Sequence, residues 1–267
     1  MSVIQAVVLG IVQGLTEFLP VSSSGHLVLA NYFLGWGDSL ELYVDIATNT
    51  GTLLAVFIFL FKDVAKAFTG FFRGLVSAEG RKEEGWRLAL LVIVGSIPTA
   101  IIGLAMRSVF HELNRPVPVA IALILTGFIL WFAPRSGPKH TVRQITFLDA
   151  LIAGTVQGLA VIPGISRSGS TIATLLARGA DKEMAPKLSF LLYFVVSFGV
   201  ALLGIDEVRG ADIQLVPLIA MTLASFLVGY AALKVVFTLL RRGQFRAFSP
   251  YLWVVGAFTI LYVMFIA

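Results

Sequence analysis

Two stretches of this chain are versions of one another, and each interrupts an apolar run with polar residues. They are Val12-Gln-Gly-Leu-Thr-Glu-Phe-Leu-Pro-Val-Ser-Ser-Ser-Gly-His26 and Val156-Gln-Gly-Leu-Ala-Val-Ile-Pro-Gly-Ile-Ser-Arg-Ser-Gly-Ser170. A shift of 144 residues superposes Gln13 on Gln157, Gly14 on Gly158, Ser22 on Ser166, Ser24 on Ser168 and Gly25 on Gly169. Whatever the chain folds into must therefore accommodate the same local structure twice. In each copy an apolar segment breaks at proline and resumes after S-x-S-G, which reads as helix, polar turn, helix, with a serine placed to cap the second helix.

The solvent for this fold is lipid. Of the 267 residues, 58% are hydrophobic and 13% charged, with mean hydropathy +0.92, against roughly 25% charged in soluble domains. The expected class is an all-α, polytopic integral membrane protein. The net charge of +5 is assigned to basic loops on one side of a bilayer, not to nucleic-acid binding. Cysteine is absent, which excludes disulfides, thiolate nucleophiles and Cys-ligated metals. No basic region precedes the first apolar run, so no removable signal peptide is expected.

A helix needs about 20 apolar residues to cross the hydrocarbon core. Six segments meet or approach that length: Leu42 to Phe61, Trp86 to Met106, Val117 to Ala133, Leu188 to Ile205, Leu215 to Leu240 and Tyr251 to Ala267. The pieces Ile4 to Leu19 with Leu27 to Leu34, and Phe147 to Ile162 with Thr171 to Leu176, are too short to cross and are joined through the polar turns. They are expected to be two re-entrant helix hairpins, with irregular backbone tolerated at depth only where protein or a water-filled cavity surrounds it. Each half, about 1–134 and 147–267 of a single membrane domain, then has one hairpin and three crossings. Three is odd, so the second half is inverted and the two hairpins enter from opposite faces, a known way to build a site at the midplane.

Basic residues set the orientation. The segments Lys62 to Arg87, Arg135 to Arg143, Arg178 to Lys187 and Arg241 to Arg246 carry fifteen Lys and Arg on one face, against Arg107, Arg115 and Arg209 on the other. The fifteen are expected to be cytoplasmic, which puts both termini and the first hairpin outside. Residues 63–85, with Phe68, Phe71, Phe72 and Leu75 among lysines and arginines, are expected along the cytoplasmic interface.

Ionisable residues at membrane depth are costly and mark function by default. Glu17, His26, Asp45 and Arg167 are the clear cases, whereas Lys234 is near an end and is expected to snorkel. His111 and His140 read as solvated loop residues. Asp45 opens a polar patch running to Thr52 that either packs helices or walls a site. The serine turns offer hydroxyls and helix-opening N–H groups as an anion cradle. With Arg167 added, the pair reads as a phosphate or diphosphate pocket. The alternative is that Arg167 only neutralises Glu17. His26 is either a hydrogen-bonded core histidine or a proton-transfer group beside candidate nucleophilic hydroxyls.

The long first motif from Gln13 to His26, with Pro163-Gly-Ile-Ser-Arg-Ser-Gly-Ser170, resembles the two signatures of the undecaprenyl pyrophosphate phosphatase, or bacitracin-resistance, family. The likeness extends to Thr50-Gly-Thr-Leu-Leu-Ala-Val56 and Leu188-Ser-Phe-Leu-Leu192. It implies hydrolysis of a C55 isoprenyl diphosphate to the monophosphate and inorganic phosphate at the outer face of the plasma membrane. That reaction recycles the lipid carrier of cell-wall glycan synthesis. The resemblance implies that Glu17 is the essential acid, Ser23 a catalytic hydroxyl, His26 an acid/base or nucleophile and Arg167 the diphosphate clamp. Gln13, Ser22, Ser24, Gly25, Ser166, Ser168 and Gly169 are then the expected substrate-binding positions. Position 13 is Gln where well-known members have a second Glu, so a divalent cation, Mg2+ or Ca2+, would rest on Glu17 and substrate phosphate oxygens. The expected partners are the polyprenyl diphosphate and membrane lipids, with a homodimer compatible with the sequence. The competing expectation, from architecture alone, is a transporter or flippase for a lipid phosphate or other anion.

Overall fold

A computed structural model describes residues 1–36, 42–106, 112–134, 141–203 and 214–266. His111, His140 and the basic residues Arg107, Arg135, Lys139 and Arg209 lie outside them. The helices in chain order are α1 (Val3–Phe18), α2 (Ser23–Phe33), α3 (Leu42–Phe59), α4 (Phe61–Val76), α5 (Glu84–Ala105), α6 (Pro116–Phe132), α7 (Phe147–Leu159), α8 (Arg167–Ala177), α9 (Met184–Leu203), α10 (Leu215–Arg241) and α11 (Ser249–Phe265). The fold is all-helical, as the composition implied.

Among the described residues, four stretches are long and apolar enough to cross a membrane: Glu84–Ala105, Met184–Leu202, Leu215–Arg241 and Phe245–Phe265. The pair α3 and α4 makes a fifth if taken as one broken span, bent by 77°. The helices α1, α6 and α7 are apolar but shorter. This is a multi-pass membrane protein, and its exposed leucines, isoleucines and phenylalanines are what a lipid-facing surface requires. After the bend, α4 turns Gly70 and Gly74 into α5 and leaves Phe68, Phe72, Leu75 and Val76 exposed.

Both short helix pairs form where the motifs predicted them. Leu19 precedes Pro20, takes an extended conformation and ends α1. Ser22 then caps α2 and Ser166 caps α8, each hydroxyl accepting from the backbone N–H three residues on, at 3.4 and 3.0 Å. The first leg of each pair packs on a long helix belonging to the other half of the chain, α1 on α10 and α7 on α5. Paired glycines make this possible. A Cβ at Gly10 or Gly14 would strike the Met221 and Ser225 carbonyls of α10, and one at Gly154 would strike the Gly95 carbonyl of α5. Helices gain no hydrophobic advantage from associating in lipid, so close backbone approach through small residues carries the contact.

Candidate active site

The two turns meet tip to tip. Gly164, at φ +94°, tucks beneath α6, and a Cβ on Gly25 would come within 3.0 Å of its Cα. Ser168 Oγ donates to the Leu19 carbonyl at 3.4 Å, so the second turn is bonded directly to the end of α1. The hydroxyl of Thr126, fully buried in α6, accepts from the Ser166 N–H at 3.1 Å and donates to the Gly164 carbonyl at 3.0 Å. These bonds satisfy backbone groups that lipid cannot. Ser22 carries the one positive φ among the described non-glycine residues, 73°, a conformation costing roughly 1–3 kcal/mol and common at functional sites.

Three polar side chains of the joint converge on Glu17, whose own side chain is 3% exposed. Its Oε2 accepts from Ser23 Oγ in a short hydrogen bond and from Gln13 Nε2 at 2.9 Å. Its Oε1 is paired with the guanidinium of Arg167. Under the 144-residue shift Ser23 and Arg167 are the same position, the first residue of α2 and of α8. The duplicated scaffold therefore delivers a hydroxyl and a guanidinium, one to each oxygen of a single carboxylate. Arg167 keeps 28% of its side chain exposed, which leaves an edge of the fork accessible to an incoming anion.

A surrounding layer fixes these groups. Gln13 Nε2 also donates to Asn49 Oδ1 at 3.2 Å, and Asn49 is anchored to the Asp45 carbonyl at 2.8 Å. The Arg167 guanidinium lies over the ring of Tyr193, 4.4 Å from its centroid. The Tyr193 hydroxyl is hydrogen-bonded to Thr52 at 2.9 Å. Asn49 and Tyr193 are again one repeat position, on α3 and α9, and the polar patch from Asp45 to Thr52 both meets Gln13 and Tyr193 and packs against Thr222 and Ser225 of α10. Sequence reasoning missed Asn49, Tyr193 and Thr126 as individual residues, although sliding the chain by the repeat length relates the first two.

His26 does not reach Ser23. Its Nδ1–H donates to the Ser22 carbonyl at 2.8 Å, and the remaining lone pair on Nε2 accepts from the Tyr251 hydroxyl at 2.7 Å. The two rings stack with centroids 5.7 Å apart. Tyr251, at the start of α11, carried no sequence signal. Among the other expected binding positions, the Ser22 and Ser24 hydroxyls lie 3.3 Å apart, as do those of Ser166 and Ser168. Gly25 and Gly169 are in the first turns that the caps hold, with a Cβ on Gly169 approaching Pro20 to 3.1 Å. Lys234 lies away from the site with its ammonium 4.6 Å from the Tyr230 ring centroid.

No three His, Asp or Glu side chains gather among the described residues. Gln13 Oε1 is buried without a partner beside Glu17. One carboxylate and one amide oxygen suit a hard cation that takes most of its shell from substrate oxygens and water.

A buried carboxylate bonded to a half-buried hydroxyl and a half-buried guanidinium, at the meeting of two helix N-termini in an apolar helical bundle, is a grouping able to receive an anion. The family described as bacitracin resistance protein BacA matches residues 6–258, and the chain belongs to it. A protein of Acaryochloris marina named undecaprenyl-diphosphatase is 62% identical over 263 residues, spanning 98% of this chain and 99% of that protein. Proteins of the same name from Desulforapulum autotrophicum and Methanosphaera stadtmanae are 43% and 36% identical, each over 98% of both chains.

Proposed function

We propose that the chain hydrolyses undecaprenyl diphosphate to undecaprenyl phosphate and inorganic phosphate, with Glu17, Ser23 and Arg167 as the working groups. The observation that carries this reading is the convergence of Ser23 and Arg167 on the two oxygens of one buried carboxylate. A carboxylate bonded to a hydroxyl is a base in place for a nucleophile, and the guanidinium fork beside it matches phosphate oxygens.

The diphosphate enters over the two capped helix N-termini and takes the fork of Arg167 from Glu17. Ser23 Oγ attacks the terminal phosphorus while Glu17 accepts its proton. The bond from that phosphorus to the bridging oxygen breaks, and undecaprenyl phosphate departs with the electron pair. Water then attacks the phosphoserine; Ser23 leaves with the proton that Glu17 took in the first step, and the water's proton stays on the inorganic phosphate released. Arg167 and the helix ends hold the charge throughout, the electrostatic preorganisation that removes the largest share of such barriers. Glu17 and Gln13 would hold Mg2+ or Ca2+, which when bound would offset the charge of the substrate phosphates.

The topology belongs to the same proposal. Six crossings and two hairpins entering from opposite faces put the site near the midplane, open to the outer leaflet, with both termini outside. The exchange of partners between halves, α1 on α10 and α7 on α5, supports a two-fold relation of this kind. A membrane-impermeant thiol reagent should label a cysteine placed at Ser2 in intact cells and miss one at Arg242; the reverse pattern overturns the orientation.

The activity itself is tested by phosphate release from farnesyl diphosphate in detergent, which the wild type should catalyse and Glu17→Ala should not. Acid quench with labelled substrate should trap an acid-stable phosphoserine. An acid-labile phosphohistidine would move the nucleophile to His26, and recovery of neither would make water the nucleophile.

A further inference from the structure

The substrate's hydrocarbon tail must leave this site, and most flanks are shut. Gly14 is pressed against Ser225 and Gly229 of α10, Gly51 against Thr222, Gly164 of the second turn against Val119 and Ala122 of α6, and Gly25 of the first against Leu123. Phe18 is fully buried, edge-on to Phe190 at 5.4 Å and Tyr193 at 6.0 Å. The flank between α2 and α11 is different. There an open groove of about 380 Å3 runs along α2, lined by His26, Leu29, Ala30 and Phe33, with Val255 and Phe258 of α11 opposite.

The spacing of those four α2 residues puts them on one helix face, so the groove starts one turn from the serine turn and follows α2 for about 10 Å. His26 is its one ionisable side chain, at the end nearest Ser23. The other polar member, Thr259, turns its hydroxyl back to the Val255 carbonyl at 2.9 Å. Beyond His26 the walls thus offer an occupant no hydrogen bond. Phe33 and Phe258, with ring centroids 5.9 Å apart, and Tyr262, 5.1 Å from Phe33, crowd the far end. The volume falls in the range of small-molecule sites.

We infer that this groove holds the head-proximal isoprene units of the prenyl diphosphate, with His26 at the junction of head and tail, so that the α2–α11 face selects a long polyprenyl chain. The inference rests on the reading of the chain as a prenyl diphosphate phosphatase. A diphosphate gripped at the turn directs its first carbons past His26, and the rest of the chain continues into the bilayer.

The test compares kcat/KM for undecaprenyl diphosphate and for dimethylallyl diphosphate, which has one isoprene unit. Ala30→Trp, which fills the groove, should lower the ratio of the two by about tenfold or more. A ratio within twofold of wild type overturns the inference. Should Ala30→Trp fail to fold, Phe33→Ala with Phe258→Ala removes the apolar walls at the far end of the groove and should also lower the ratio, here through lost contact with the longer tail; an unchanged ratio again overturns the inference. Separately, a benzophenone side chain introduced at Phe258 should on irradiation become joined to radiolabelled undecaprenyl diphosphate. Excess unlabelled substrate should suppress the cross-link and phosphatidylglycerol should not. Suppression by phosphatidylglycerol would make the groove an ordinary lipid seat. Wild-type protein that releases phosphate from no prenyl diphosphate would instead overturn the functional reading, an outcome distinct from an active enzyme with unaltered chain preference.

Discussion

The two serine turns share a backbone plan and differ in chemistry. Both are capped by the first serine of S-x-S-G and both follow a helix held by paired glycines. The first carries Glu17, Ser23 and His26, where the second has Val161, Arg167 and Ser170. Duplication supplied two facing helix N-termini, and divergence placed the carboxylate and hydroxyl on one and the guanidinium on the other. A single turn holding all of them would pair Glu with Arg locally and leave nothing for a substrate to displace. Split between two turns, the ion pair is the joint itself, so ligand entry and hairpin contact are linked.

The supports differ as well. The second hairpin is fastened at its open end by Arg178 Nε to Asp149 at 2.6 Å, and Asp149 also completes a capping box with Thr146. At the corresponding end of the first, Ser2 and Gln5 form a capping box. Its second helix, α2, is tied to α11 through the hydrogen bond from Tyr251 to His26.

The sharpest way to break the comparison is to remove one charge of the joint. Glu17→Ala should abolish phosphate release, and Arg167→Ala should lower kcat by at least about a hundredfold. Arg167→Lys should recover little, because a point charge does not replace the fork. Turnover near the wild-type rate in either alanine variant removes that residue from the mechanism. Next in size, Tyr193→Leu should reduce kcat/KM by roughly tenfold through loss of the ring beneath Arg167, whereas Tyr193→Phe, which keeps the ring, should stay within a few-fold. Equal losses in the two would show that the hydroxyl bond to Thr52, not the stacking, is what matters. The restraint on the second hairpin is expected to be structural: Asp149→Ala should lower stability by about 1–3 kcal/mol, read as a drop in melting temperature in detergent, by stranding the Thr146 groups and Arg178. The smallest effect should come from Thr126→Val, about 1 kcal/mol of stability with a modest fall in kcat as the second turn loosens. A larger activity loss there than in Tyr193→Leu would mean that turn placement outweighs guanidinium orientation.

Local chemistry made much of this protein legible in its residues. Apolar composition dictated a lipid-embedded helical fold, because only internally hydrogen-bonded backbone is stable there. Proline and S-x-S-G fixed where the short helices break and restart, and the repeat required that it happen twice. Glu17, His26, Asp45 and Arg167 stood out because ionisable groups are expensive at depth, whereas Ser23 was singled out within its serine turn by the family resemblance. Periodicity did not reveal that Ser23 turns to Glu17 and His26 turns away, which depends on the positive φ at Ser22 and on Tyr251 arriving from α11, 225 residues on. Nor did it show Tyr193 under Arg167, since ring contact depends on how α9 packs against α8. The sequence by itself determined the medium, the helices and the two polar turns, each set by forces acting within a few residues. Only tertiary structure decided which hydroxyl meets which carboxylate and which flank carries an open apolar groove, because those follow from close packing between helices far apart in the chain.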